Sequence, residues 1–182
     1  ALIPRQDTEL LVETAIQMIQ ERGYRTCLDL CTGTGCVGIS IAKNVAIQMT
    51  ASDISRDALA LAKENAELNE VDVTFVESDL FQSINGRYDL IVCNPPYLTM
   101  DDMQSLQQEL TFEPKLALYG GGDGLDYYRK IAWEYRDHLN ANGVLLLEIG
   151  NTQAKTASAL FDANTRVLND LSGNPRVLVV EP

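Results

Sequence analysis

A single histidine, His138, occurs in 182 residues, so imidazole acid-base chemistry has little support. It falls on an expected helix, where it reads as a solvated or capping residue. Cysteine is nearly as scarce: Cys27, Cys31, Cys36 and Cys93 contain no Cys-x-x-Cys spacing, which argues against a zinc site and against a disulfide framework. No metal is expected, and a reduced, cytoplasmic setting is. Basic residues number 14 against 26 acidic ones, a net charge of −12, and they are scattered. A duplex-binding surface needs clustered Lys and Arg, so nucleic acid is not an expected partner, although a local basic groove stays compatible with the count. No apolar run approaches a membrane span. The opening Leu2-Ile3-Pro4-Arg5, without an initiator Met, has neither the charged nor the apolar region of a signal peptide and reads as part of something longer. What is abundant is hydrophobic side chain, 46% of the chain, enough for a full core; the length favours one domain over residues 1–182.

Apolar residues Leu10, Leu11, Ala15, Ile16 and Ile19 recur at helical spacing. They predict a leading helix in segment 1–22 that ends near Gly23, with Asp7 or Thr8 as N-cap. Strand and helix patterns then alternate: strand 26–30, helix 36–44, strand 47–53, helix 56–69, strand 73–77, strand 88–94, helix 125–139, strand 143–149 and helix 152–161. A terminal hairpin of 165–169 with 177–180 follows, joined through Ser172-Gly173-Asn174-Pro175. Alternation of this kind is the signature of βαβ units. Leu90 to Cys93 and Val144 to Leu147 are continuously apolar, as central parallel strands covered on both faces should be. The predicted fold is α/β and doubly wound, a mostly parallel seven-stranded sheet with a C-terminal antiparallel hairpin. The connection 98–124 is long for a compact domain and reads as a substrate-side loop whose Gly120-Gly121-Gly122 run permits movement.

Asp29-Leu30-Cys31-Thr32-Gly33-Thr34-Gly35 joins the first strand to a helix, where glycines let backbone N–H groups approach a ligand. Gly33, Gly35 and Gly38 spell G-x-G-x-x-G, and Asp53, at the end of the second strand, is placed to accept from ribose hydroxyls. This pattern fits S-adenosylmethionine and a nicotinamide cofactor alike, and an ordinary glycine turn as well. Asp79 is placed to accept from an adenine amino group, with Leu80 and Phe81 as apolar cover. A turn cap for Asp79 and a core position for Phe81 are the plainer readings.

The most informative stretch is Asn94-Pro95-Pro96-Tyr97. Two prolines fix φ, remove two donors and hold Asn94 and Pro95 out of the helical region. The result is a stiff, acceptor-rich corner: the Asn94 side-chain oxygen and the Pro95 carbonyl can accept both N–H bonds of a planar amino group, with the Tyr97 ring against its plane. Such a corner suits methyl transfer to nitrogen and has no evident use in hydride transfer. A strand ending in a Pro-Pro turn would carry the same letters.

These residues together resemble the S-adenosylmethionine-dependent release factor glutamine methyltransferases. The likeness runs through Leu2-Ile3-Pro4-Arg5, Asp7-Thr8-Glu9, Asp29-Leu30 with Thr32-Gly33-Thr34-Gly35, Asp53-Ile54-Ser55, Asp79 with Phe81, Asn94 to Tyr97, Glu113-Pro114 with Ala117-Leu118, Gly121 to Leu125 and Glu148-Ile149-Gly150. It implies a class I, Rossmann-like methyltransferase. Cys31 to Gly35 would wrap the methionine part of S-adenosylmethionine, Asp53 would hold the ribose and Leu80 would lie beside the adenine. Asn94, Pro95, Pro96 and Tyr97 would receive the glutamine amide of the Gly-Gly-Gln loop of class I release factors. The chain departs from the family pattern at Gln6, at Cys31, where glycine is commoner, and at Leu80, where an aromatic residue is frequent. The family's helical N-terminal domain has no counterpart among these residues. Other readings of the same letters are a nucleic-acid amino-group methyltransferase, a dehydrogenase, and a cofactor-binding module without activity.

Overall fold

The computed structural model describes residues 8–105 and 118–182; Asp7, Glu109, Glu113, Pro114, Ala117 and the opening Leu2 to Arg5 lie outside them. The first helix, α1 (Glu9–Arg22), buries Leu11, Ala15, Met18 and Ile19 along one stripe, the spacing that brings i, i+4, i+7 and i+8 to a single face. It stops where Gly23 turns left-handed at φ 66° and donates its N–H to the Ile19 carbonyl, a glycine C-cap. At the other end the sequence reading needs correction: the Thr8 side chain makes no capping bond.

Seven strands follow, β1 (Thr26–Leu30), β2 (Gln48–Asp53), β3 (Val73–Glu77), β4 (Tyr88–Cys93), β5 (Leu139–Glu148), β6 (Asn164–Asn169) and β7 (Pro175–Glu181). They form one sheet in the order β3-β2-β1-β4-β5-β7-β6. The first five are mutually parallel and β7 runs antiparallel to both β5 and β6, as the hairpin pattern predicts. The central strands send alternate residues into two cores. Leu28, Leu30, Ile91, Cys93, Leu145 and Leu147 enter one, and Cys27, Leu90, Val92, Val144 and Leu146 the other. Helix α1 and helix α2 (Cys36–Asn44) cover the second core, whereas α5 (Asp126–Glu134) and α6 (Ala154–Ser158) cover the first. Helix α3 (Arg56–Leu68) packs on β2 and β3 and is capped by Ser55, whose Oγ accepts from the Ala58 N–H.

Three expected boundaries move, two of them for a visible reason. The helix expected over 125–139 ends at Glu134 and continues as a 3₁₀ turn, Tyr135–His138, where the Arg87 guanidinium donates to the Arg136 and Leu139 carbonyls at 3.1 and 2.8 Å. Leu139 is thereby free to pair with Tyr88, and β5 starts there rather than at Gly143. The last helix is shorter than 152–161. In the 98–124 connection lies a sixth helix, α4 (Met100–Ser105), that the sequence reading does not contain, although its start carries a signal: the Asp102 carboxylate accepts from the Thr99 N–H and hydroxyl, and Thr99 Oγ accepts from the Asp102 N–H at 3.2 Å. That is a capping box written Thr-x-x-Asp.

His138 is half-buried and makes no capping bond. Its ring stacks on Phe81 with centroids 4.6 Å apart, and Phe81 itself is a buried core residue, not cover for a ligand ring.

Candidate active site at the carboxyl edge of the sheet

The chain leaves β1 outward to β2 and β3, then returns to β4 on the other side of β1. Open parallel sheets hold ligands where the winding reverses in this way. Leu30 and Cys93, the last residues of β1 and β4, are register partners. The turn beginning at Cys31 and the corner beginning at Asn94 therefore emerge side by side, a juxtaposition that follows from topology alone.

The turn between β1 and α2 is left-handed at Cys31 (φ 57°), Gly33 (φ 56°) and Gly35 (φ 82°). For cysteine this conformation costs on the order of 1 kcal/mol, a cost that glycine would not carry. A Cβ on Gly35 would stand 2.7 Å from the tip of Ile39, Cδ1, and 3.1 Å from Ala62 Cβ, so the left-handed backbone favours glycine and the tight surroundings reinforce it. Asp29 anchors the turn from below: its Oδ2 accepts the Thr32 hydroxyl at 2.6 Å and the Gly38 N–H at 2.9 Å. Burial nonetheless dominates and raises its pKa to about 7. Beside it, Asp53 Oδ2 accepts the Gly33 N–H and Oδ1 the Ser55 N–H, both at 2.9 Å. Each oxygen keeps a second lone pair for a ligand.

On the far wall, Ser78 Oγ donates to the Leu80 carbonyl at 2.7 Å and accepts the Ser83 N–H at 2.9 Å. This holds Leu80 left-handed, at φ 49°. The crevice so formed is lined by Cys31, Thr32, Gly33, Thr34, Asp53, Asp79 and Leu80, and by Asn94 and Pro96 from the corner. Gly35, Pro95 and Tyr97 are not on its surface. Gly35 shapes the start of α2, Pro95 is buried, and the Tyr97 ring packs against the first core.

The corner is fastened from several directions. Gln153 Nε2 donates to the Tyr97 and Gly124 carbonyls at 3.0 and 3.2 Å, while its Oε1 accepts the Gly150 N–H at 3.0 Å. Leu98 N–H donates to the Leu118 carbonyl and Gly120 N–H to the Leu98 carbonyl, each at 2.9 Å. Gly120 lies so close to the corner that a Cβ would be 2.6 Å from the Pro96 carbonyl oxygen.

Sequence reasoning missed Tyr127, which lines the crevice and also a neighbouring recess bounded by Met100, Met103, Tyr119 and Lys130; burial raises its phenol. Its helical spacing with Tyr128, a buried residue whose hydroxyl donates to the Glu148 carbonyl, gives no hint of which ring faces the opening. Burial also raises the thiol of Cys36 to about 11 and those of Cys27 and Cys93 well above the usual range. None of these three is a thiolate at neutral pH, which removes them as nucleophiles. Among the described residues there is no cluster of three potential metal ligands, and no helix is long and apolar enough to cross a membrane.

Residues 6–125 match the family model described as methyltransferase small domain. The release factor glutamine methyltransferase of Lactococcus lactis subsp. lactis is 38% identical over 99% of this chain and 69% of its own length. The ribosomal protein uL3 glutamine methyltransferase of Xanthomonas campestris pv. campestris is 43% identical over 100% of this chain and 60% of its own. Among solved structures, the ribosomal protein L11 methylase of Lactobacillus delbrueckii subsp. bulgaricus superimposes with a TM-score of 0.70 at 21% identity, over 97% of this chain and 79% of that one. The chain spans 53% to 69% of the length of these and other curated relatives.

Proposed function

The chain belongs to the methyltransferase small-domain family and, within it, to the release factor glutamine methyltransferases, and from that premise we propose that it moves a methyl group from S-adenosylmethionine to the side-chain amide nitrogen of a glutamine. The acceptor is the glutamine of the Gly-Gly-Gln loop in class I release factors, and the reaction takes place in the cytoplasm.

The observation that carries this reading is the pairing of Leu30 with Cys93, which sets a glycine turn and an Asn-Pro-Pro-Tyr corner on one crevice. The donor set suits the cofactor: Gly33 opens onto the crevice, where even a Cβ would meet nothing within 4 Å, Asp53 offers two spare lone pairs for ribose hydroxyls, and Asp79 offers acceptors for an amino group. Held by Gly33, Asp53 and Asp79, S-adenosylmethionine would supply an electrophilic methyl carbon whose sulfonium becomes a neutral thioether on transfer, and the amide nitrogen would release one N–H proton to water. An amide nitrogen is a weak nucleophile, so alignment is the main contribution of the protein, up to roughly 7 to 11 kcal/mol at the extreme. Asn94 Oδ1, on the crevice wall, accepts an amide hydrogen and turns the nitrogen lone pair toward the donor; Pro95, buried behind that wall, and Pro96 stiffen the corner, and Tyr97 braces it. No side chain need act as general base.

The ribosomal protein uL3 enzyme among the relatives favours one second reading: the same chemistry on a glutamine of uL3. The net charge of −12 counts against a nucleic acid acceptor. Incubation of the full-length protein and S-adenosylmethionine with a purified class I release factor or with uL3, followed by peptide mass spectrometry, decides between them. The expected result is one added methylene mass on the Gly-Gly-Gln glutamine. Addition to uL3 alone would transfer the assignment to the second reading, and addition to neither would overturn both.

A further inference from the structure

Asn94 has two chemically different ends, and the proposed function works only if the oxygen end meets the substrate, because a substrate NH₂ cannot be held by another NH₂. The oxygen and nitrogen ends of a side-chain amide are nearly equal in shape, so something other than packing must choose between them. The surroundings of Thr8 make that choice. Thr8 is buried with 6% of its surface exposed, and Glu148 with 2%. The Thr8 hydroxyl donates to Glu148 Oε2 at 2.8 Å, and Thr8 Oγ accepts from Asn94 Nδ2 at 3.4 Å.

We propose that Thr8 and Glu148 form a positioning relay that fixes which end of the Asn94 amide faces the crevice. The proposal rests on the glutamine methyltransferase reading for its purpose, though not for its geometry. Its logic is one of proton inventory. A carboxylate only accepts, and a threonine hydroxyl has a single proton. With that proton committed to Glu148, Thr8 Oγ presents only lone pairs to Asn94, so Asn94 must turn its NH₂ toward Thr8. Its Oδ1 is then directed away from Thr8, to the side that the crevice occupies. The Asn94 contact is long for a hydrogen bond; it orients the amide more than it adds stability. Three segments far apart in sequence meet here, since Thr8 lies 86 residues from Asn94 and 140 from Glu148. The Thr8 side chain, at the start of α1, makes no capping bond; its hydroxyl is directed to Glu148 instead.

The test compares wild type with Thr8→Val, which keeps the shape and removes the hydroxyl, and with Thr8→Ser, which keeps the hydroxyl. Three quantities are read: the rate of methylation of a class I release factor, the affinity for S-adenosylhomocysteine by calorimetry, and the Asn94 side-chain NH₂ resonances, assigned by their loss in Asn94→Ala. Thr8→Val is expected to lower kcat about tenfold or more, as misorientation of a reacting group does, to leave S-adenosylhomocysteine affinity within about twofold, and to shift the Asn94 resonances. Thr8→Ser is expected to keep most of the rate and near-native resonances. If Thr8 merely pins α1 to β5, Thr8→Val lowers the melting temperature while the Asn94 resonances and kcat stay put, and the proposal is overturned. Glu148→Gln supplies the same readout should Thr8→Val not fold: the side chain gains a donor, the direction of the relay is no longer enforced, and the Asn94 resonances move. Unchanged resonances there overturn it equally. A wild-type protein that methylates neither release factor nor uL3 defeats the proposed function, while the resonance measurement still decides the relay.

Discussion

The turn at residues 31–35 and the corner at residues 94–97 face one crevice, yet they are held in place by different means. The turn is a local construction. Thr32 and Gly38 donate to Asp29 across 3 and 9 residues, and Gly33 to Asp53 across 20. Its shape comes from left-handed backbone at three positions, one of which, Gly35, is also closely packed by Ile39 and Ala62. The corner, in contrast, is stiffened by its own prolines but located by side chains from afar: Gln153 reaches the Tyr97 carbonyl across 56 residues and Thr8 reaches Asn94 across 86. A ligand-binding turn can be carried from fold to fold as a short cassette. An oriented acceptor depends on the whole domain around it, because backbone stiffness sets where the corner goes but not which way its amide points.

The sharpest way to break that comparison is to remove one anchor from each side. Asn94→Ala is expected to lower transfer by on the order of a hundredfold to a thousandfold, the range seen when a preorganised polar partner is lost, with S-adenosylhomocysteine affinity within about twofold. Asp53→Ala is expected to do the reverse, weakening that affinity on the order of tenfold to a hundredfold through loss of charge-assisted hydrogen bonds. Parallel calorimetry and initial rates check both, and a large loss of affinity in Asn94→Ala would end the division of labour between the two sides.

A subtler break enters through the glycines behind the corner. Gly124 sits at φ 73°, and a Cβ there would be 2.4 Å from the Tyr97 carbonyl oxygen and 2.6 Å from Gln153 Nε2. Gly124→Ala is therefore expected to destabilise the protein by about 1–3 kcal/mol and to reduce transfer more than cofactor affinity, as read by denaturant unfolding beside the same titration. Equal losses on both sides would mean that the corner and the turn move as one unit.

A further test, read only as a slope against pH, addresses the turn alone. Burial holds the Asp29 pKa up at about 7 against donation from Thr32 and Gly38. Below about pH 4 the carboxyl is protonated in folded and unfolded chains alike, and its stabilising contribution is complete. As pH rises the unfolded chain ionises first, and the contribution is withdrawn until the folded group has ionised, through about pH 7. Asp29→Asn is expected to flatten that fall in unfolding free energy between about pH 4 and 7; an unchanged slope would show that the folded carboxyl is ionised throughout.

What can be read in advance follows the same division. The strands, the helices on either face and the glycine turn depend on periodicity and on backbone regions open mainly to glycine, and both are properties of neighbouring residues. Phe81 takes the core position that its letters allow, but its stacking on His138 escapes such a reading, because nothing in the local letters states that Leu80 will be left-handed. Thr8 has the letters of a helix cap because Ser, Thr and Asp usually serve that role before an apolar stripe. Its hydroxyl goes instead to a carboxylate 140 residues away. Tyr127 and Tyr128 are adjacent and chemically alike; only the packing of α5 on the sheet gives one to the crevice and buries the other.

The amino-acid sequence by itself determined the βαβ order, the closing hairpin, the left-handed turn and the proline-locked corner, since each arises from propensities and steric limits acting within a few residues. Tertiary structure decided that turn and corner share an opening, through the pairing of Leu30 with Cys93. It also decided how the Asn94 amide is turned. Those outcomes depend on which distant backbones pair and on where a buried hydroxyl commits its single proton, and such relations exist only once the chain has closed on itself.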